Sequence, residues 1–312
     1  MRKQVLIIGS GLMGAGIAAV SALAGHPTIL LDQSMELAEK GKENALLHIQ
    51  ELLENGLAEV QEAEQAKKQI TCSAQLTTAC ESASLVIEAI AENLELKQDL
   101  FSQLDSLLPV EVPILSNTSG LRITEIAAKM QRPQRALTAH FWFPAHLVPL
   151  VEVVIGEQSS AELAEEMKAL LCKWGKTPVV VKKDYNGQLA NRILQAVIRE
   201  AVNIVELGIA SPEDVDAAVK AGMGIRMPVW GPLEHIEAVG LDLAYRVQEN
   251  VLPQISGASE ASDCLREKIE AGDLGYKSGQ GFYDWNKKDM KQLVQQRNDF
   301  IIMALKQFKE RS

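Results

Sequence analysis

Apolar residues enter this chain as short runs with few interruptions and only later settle into helical spacing. The runs at 5–8, 28–31, 85–90, 113–116, 136–141, 150–155 and 178–181 are each four to six residues long. Runs of that length with no polar alternation predict strands covered on both faces. Helical patterns separate them: a small-residue stretch after Gly14, Glu-rich segments over 36–69, then 94–108 and 161–174. Strand alternating with helix predicts an α/β fold, a doubly wound, mostly parallel sheet with helices on both faces. Beyond Val181 the pattern changes. A polar connector, Lys182 to Gly187, leads into one long helical stretch over 188–207, and no convincing strand follows. Ser211-Pro212-Glu213-Asp214 is a helix start, with a Ser cap, Pro at the first position and an acid at the third. The expected organisation is a Rossmann-type sheet domain over 1–183, an all-helical domain over 184–285, and a charged amphipathic tail over 286–312. In that tail Leu293, Phe300, Ile301, Ala304 and Phe308 fall at helical spacing, a stripe suited to packing on its own body or on a partner.

The first strand and helix carry candidate chemistry. Val5-Leu6-Ile7-Ile8 runs into Gly9-Ser10-Gly11-Leu12-Met13-Gly14, and the second apolar run ends at Asp32, 18 residues past Gly14. Strand, glycine turn, helix, strand and acid together form a dinucleotide-binding pattern. Gly9 permits the tight turn, Gly11 admits the pyrophosphate to the backbone, and Gly14 lets the helix approach the sheet. Leu12 and Met13 open a helix whose free N–H groups face the phosphates. Asp32 can accept the adenosine ribose hydroxyls and would repel a 2′-phosphate, so NAD is expected over NADP. No Asp, Glu, Lys or Arg occurs from Gln4 to Leu31. The glycines and the Gly25-His26-Pro27 turn interrupt that stretch, so buried soluble core is expected rather than a membrane span or a leader peptide.

Composition narrows the class further. At 312 residues and 47% hydrophobic the chain has material for two cores. A net charge of −10 argues against a nucleic-acid partner. Cys72, Cys80, Cys172 and Cys264 are widely spaced and form no C-x-x-C, so buried structural thiols in a reducing cytoplasm, with no metal cluster, are expected.

Oxidation of an alcohol by a nicotinamide needs a base, and histidine suits that role near neutral pH. His26 lies in a turn, His48 on a Glu-rich helix where a solvated face is expected, and His235 in the helical part has no obvious partner. His140 ends an expected strand, and ligands in such sheets bind at strand carboxyl ends. Glu152 follows 12 residues later inside an apolar run, where an acid is costly unless paired. A His140–Glu152 pair would satisfy both groups and orient the imidazole. Spacing alone leaves a purely structural pair equally open.

Ser116-Asn117-Thr118-Ser119, the segment from His140 to Glu152, and Asn191-Arg192 resemble the L-3-hydroxyacyl-CoA dehydrogenases. So do Ala91-Glu92-Asn93-Leu94 with Lys97, Gly231-Pro232-Leu233, and the stretch from Lys277 to Tyr283. The resemblance spans 5–285. It implies an NAD-binding domain followed by a helical dimerisation domain, hence a homodimer. It implies His140 as base with Glu152 as partner, and Ser119 and Asn191 as hydrogen-bonding partners of the reacting oxygen and the substrate carbonyl. Glu92 and Lys97 would line the nicotinamide half of the cofactor. The implied reaction converts a short-chain 3-hydroxyacyl-CoA to its 3-keto product.

Three departures leave the substrate open. The family pattern after the histidine is close to H-F-F-N-P; here it is His140-Phe141-Trp142-Phe143-Pro144, so Phe143 replaces an amide. The family's P-G-F at the second domain becomes Asn186-Gly187-Gln188. Residues 43–66, where the family places lysines beside the CoA nucleotide, hold Glu43, Glu51, Glu54, Glu59, Glu62 and Glu64 and no Lys or Arg. Like charge there disfavours the CoA phosphates. The tail also resembles the branch acting on CoA-free acids, such as gulonate, carnitine and pyridine-derivative dehydrogenases. A non-catalytic NAD-binding protein is a third possibility, disfavoured by the intact set Ser119, His140, Glu152 and Asn191. A lysine-dependent β-hydroxyacid dehydrogenase is disfavoured because Asn191-Arg192 stands where a lysine motif would.

Overall fold

The computed structural model describes residues 4–311, with side chains through Lys309. Its order is β1 (Val5–Ile8), α1 (Leu12–Leu23), β2 (Thr28–Leu31), α2 (Met35–Glu54), α3 (Val60–Gln69), β3 (Ile70–Ser73), α4 (Leu76–Cys80), β4 (Leu85–Glu88), α5 (Leu94–Leu107), β5 (Ile114–Ser116), α6 (Ile123–Ile126), β6 (Ala136–Phe141), β7 (Leu150–Val154), α7 (Ala161–Lys173) and β8 (Thr177–Val181). The sheet order is β3-β2-β1-β4-β5-β6-β7-β8, so the winding reverses between β1 and β4 and opens a crevice at their carboxyl ends.

Two-sided burial accounts for the apolar runs. Along β1, Val5 and Ile7 join one core while Leu6 and Ile8 join the other. In β4, Leu85 and Ile87 join the first core and Val86 the second. α1 is buried along most of its length because its small residues let it lie close to the sheet. β7 pairs antiparallel to β6, and β8 runs parallel to β7. The connection from Phe141 to Leu150 is too short for a helical crossover, so the chain must fold back as a hairpin.

One strand has no signal in the sequence, and two expectations need correction. β3 has no apolar run; it is an edge strand with Thr71 exposed, so composition gives it no signal. His48 is not on a solvated face. Its ring stacks on His146 at 3.8 Å, and burial pushes both imidazoles down to about 4, with Glu51 accepting from His146 Nε2 at 2.8 Å. The four thiols are all free, but only Cys80 is buried and Cys172 is exposed.

The chain forms two compact units, one of residues up to Leu189 together with Ile301 onward, the other Ala190–Phe300. In the second unit the helices are α8 (Leu189–Glu206, which begins at the boundary), Pro212–Ala218, Pro232–Val239, Leu241–Val251 and Asp263–Glu270. The tail is a helix, Met290–Arg311. Ile302 is its buried contact, packed with Leu52 and Leu147, and the stripe residue Ile301 lies against the same cluster. Among the described residues no helix is long and apolar enough to cross a membrane.

Candidate active site

The glycine turn is built as a dinucleotide cradle. Gly9 adopts φ +95°, a conformation that a side chain would strain. A Cβ on Gly14 would lie 1.8 Å from the Gly9 carbonyl oxygen, so only glycine lets the helix start there. A Cβ on Gly11 would meet no atom within 4 Å, so the backbone is open on that side. α1 has no side-chain cap and no acid in its first turn, so its N–H groups and positive dipole end remain available to an anion. Leu12 is exposed at this edge, and Met13 lines the crevice.

Asp32 ends β2 beside this turn. Its Oδ2 accepts the Ser10 amide at 2.7 Å and the Ser10 hydroxyl at 2.6 Å, and its Oδ1 accepts the Gln33 amide at 2.8 Å. Burial pushes the carboxyl up, but these hydrogen bonds outweigh it and hold the group below the usual carboxylate range. Asp32 therefore braces the glycine loop as well as presenting negative charge. Ser10 was not singled out by sequence; the opening glycine pattern treats it as filler.

A second cluster sits at the carboxyl end of β4. Glu88 is fully buried and accepts Lys97 Nζ at 2.6 Å, the Ser116 hydroxyl at 2.6 Å and the Ile90 amide at 2.7 Å. Lys97 also pairs with Glu92 at 3.3 Å. Glu92 in turn accepts the Thr118 hydroxyl at 2.5 Å and the amides of Ser119 and Gly120. Burial raises the Glu92 carboxyl, but these donors and Lys97 bring it below its ordinary range. Glu92 thus fastens the 118–120 loop. Thr118 also accepts the Leu121 amide at 3.0 Å, and α6, which follows, has no side-chain cap. Glu88 was missed because a glutamate inside the 85–90 run shows no partner until the fold supplies Lys97 and Ser116.

His140 and Glu152 are directly opposed across the β6–β7 hairpin. His140 Nδ1 lies 2.7 Å from Glu152 Oε2, and Glu152 is fully buried. Trp142 donates its indole N–H to the same Oε2 at 3.0 Å. The Phe141 amide donates to Asn117 at 2.8 Å, which ties β6 to the loop after β5. His140, Glu92, Lys97, Ser119, Met13 and Phe143 all face one cavity of about 300 Å³. Of the first unit's candidates, Met13, Glu92, Lys97, Ser119 and His140 line this cavity, while Glu152 is buried behind His140 and Asp32 stands behind the glycine turn. Asn191 belongs to the second unit, half-buried on α8.

Comparison with known proteins agrees with this geometry. Residues 4–185 match the model of the 3-hydroxyacyl-CoA dehydrogenase NAD binding domain, and residues 187–285 match that of the 3-hydroxyacyl-CoA dehydrogenase C-terminal domain. The chain belongs to the 3-hydroxyacyl-CoA dehydrogenase family. NAD is its cofactor, and the glycine cradle with Asp32 behind it fits that group. The chain is 41% identical to a probable 3-hydroxybutyryl-CoA dehydrogenase of Bacillus subtilis over 92% of its own length and 98% of the relative's. It superposes on the crystal structure of 5-formyl-3-hydroxy-2-methylpyridine 4-carboxylic acid 5-dehydrogenase, described as an NAD+-dependent dismutase, with a TM-score of 0.90 at 30% identity over 97% of each chain. The (S)-3-hydroxybutyryl-CoA dehydrogenase from Ralstonia eutropha aligns with a TM-score of 0.75 at 33% identity, over 91% of this chain and 99% of the other.

Proposed function

We propose that this chain oxidises the 3-hydroxyl of a short-chain 3-hydroxyacyl-CoA to the 3-keto product, with His140 as the base. The observation that carries this reading is the cross-strand His140–Glu152 pair at the mouth of the dinucleotide crevice. NAD, when bound, accepts the hydride. Nδ1 of His140 is engaged by Glu152, which leaves Nε2 to take the hydroxyl proton as the carbon loses hydride. The buried carboxylate then stabilises the imidazolium, a stronger effect away from water than in it. Ser119, on the loop held by Glu92, and Asn191 are the proposed hydrogen-bond donors to the substrate oxygens. Electrostatic stabilisation by donors fixed in advance is the larger part of such catalysis.

A second reading, a CoA-free hydroxy acid, draws on a specific observation. The α2–α3 hairpin is acidic, and Lys67 at its end already pairs with Glu64 at 2.9 Å. The whole-length likeness to an enzyme named for a pyridine carboxylic acid points the same way. The deciding experiment offers 3-hydroxybutyryl-CoA and free 3-hydroxy acids side by side with NAD and follows reduced cofactor. Turnover confined to the thioester upholds the first reading; turnover confined to free acids replaces it with the second. In the same assay His140→Ala should lower kcat by roughly 10²–10⁴ while NAD still binds. Undiminished turnover in that variant would remove His140 from the mechanism.

We also propose that the helical unit joins two copies of the chain. Val202 is the one buried hydrophobic residue among its described positions, while Val229, Leu233, Leu241 and Val247 are half exposed or more. Helices that bury so little in one copy need a partner surface.

A further inference from the structure

We infer that Trp142 is a positioning residue that tempers how firmly Glu152 holds His140 in its charged form, and so sets the acid side of the enzyme's working range. The inference rests on the reading of His140 as the base. Trp142 stands two residues after His140, just past the end of β6, and its indole reaches the carboxylate that stands opposite His140. Glu152 Oε2 faces His140 Nδ1 at 2.7 Å and Trp142 Nε1 at 3.0 Å. The two rings lie 5.8 Å apart at 51°, so the indole is beside the imidazole rather than stacked on it, and they meet through the carboxylate. A phenylalanine, which the family pattern carries here, has no such N–H.

The physical consequence has a definite sign. Indole is a donor at every pH and never an acceptor. Its N–H stabilises the carboxylate charge at the oxygen that faces the imidazole. That oxygen then offers less to the imidazolium. Without the indole N–H, the imidazole receives a larger share of the buried charge, and its protonated form gains. A base that holds its proton more tightly is available only at higher pH.

Other charges face the same space. Glu92 and Lys97 share the cavity wall with His140, and Glu88 lies behind Lys97. They pair among themselves and are unchanged by replacement of Trp142. A difference between wild type and a Trp142 variant therefore reports the indole N–H.

The test is Trp142→Phe, which keeps an aromatic ring and removes the donor. The acid limb of the kcat/KM–pH profile should move up by roughly half a unit to one unit, a size appropriate to one hydrogen bond on a charged partner. NAD affinity should not change. A purely structural role would lower kcat or Tm at every pH and leave the limb where it was. The companion measurement needs no substrate: the ring-proton resonance of His140, assigned by its absence in His140→Ala, should titrate at higher pH in the variant. If Trp142→Phe does not fold, benzothienylalanine placed at position 142 keeps the bicyclic shape with sulfur in place of N–H, and the same shift is expected. A limb and resonance that stay put, or move down, overturn the inference. If His140→Ala retains full turnover, the reading of His140 as base fails instead. An inactive His140→Ala beside an unmoved Trp142 variant defeats the Trp142 inference alone.

Discussion

Lys97→Met should destabilise the first unit severely. Lys97 and Glu88 are 1% and 0% exposed, and Lys97 Nζ sits 2.6 Å from Glu88 Oε1. Methionine fills much of the lysine's volume but leaves Glu88 without its counter-charge. Breaking a buried ion pair from one side costs about 3–5 kcal/mol, chiefly for the charge left behind. Glu88 keeps the Ile90 amide and the Ser116 hydroxyl, so the lower end of that range, about 3 kcal/mol, is expected. In a unit of this size 1 kcal/mol moves Tm by roughly 2–4 °C, which gives a fall of about 6–12 °C. Thermal and urea denaturation followed by circular dichroism measure it directly. The double variant Glu88→Gln with Lys97→Met buries no charge. It should recover most of the loss, so the double-mutant cycle should report a coupling of about 2 kcal/mol or more. A single variant within about 0.5 kcal/mol of wild type, or a double variant no better than the single, would refute the claim that this pair is held by charge rather than by packing.

Two more outcomes follow from the same geometry. Asp32→Ala should weaken NAD binding, narrow the preference for NAD over NADP, and loosen the glycine loop by freeing Ser10 from its two contacts with Oδ2; unchanged affinities for both dinucleotides by fluorescence titration would contradict its ribose role. Sedimentation of the intact chain should give a dimer, and Leu233→Glu with Val229→Glu, both exposed apolar residues of the helical unit, should shift it toward monomer; a wild-type monomer at micromolar concentration would end the proposal of a helical interface.

What could be read from sequence divides along a physical line. The glycine cradle and Asp32 were legible because backbone geometry forces them: a residue larger than glycine at position 14 would collide with the Gly9 carbonyl oxygen, whatever else surrounds it. The His140–Glu152 pair was legible in outline because an acid inside an apolar run needs a partner, and the structure supplies it through a short connection between the two strands. A short connection compels an antiparallel hairpin, and a hairpin fixes register locally. Other contacts depend on partners that no local rule supplies. Glu88 meets Ser116 across 28 residues, and His146 meets Glu51 across 95. Apolar periodicity says which face of an element is buried, but not which buried polar group of a distant element will satisfy it. β3 escaped for a related reason: an edge strand pairs on one side and needs no apolar run. Trp142 lies between these cases. It stands two residues after His140, yet an aromatic at that position reads as ordinary packing until the carboxylate oxygen shared by the two rings is seen. The chemistry of this site was therefore written most clearly where short-range backbone constraint and function coincide. It was hidden wherever a polar group waits for the tertiary fold to deliver its counterpart.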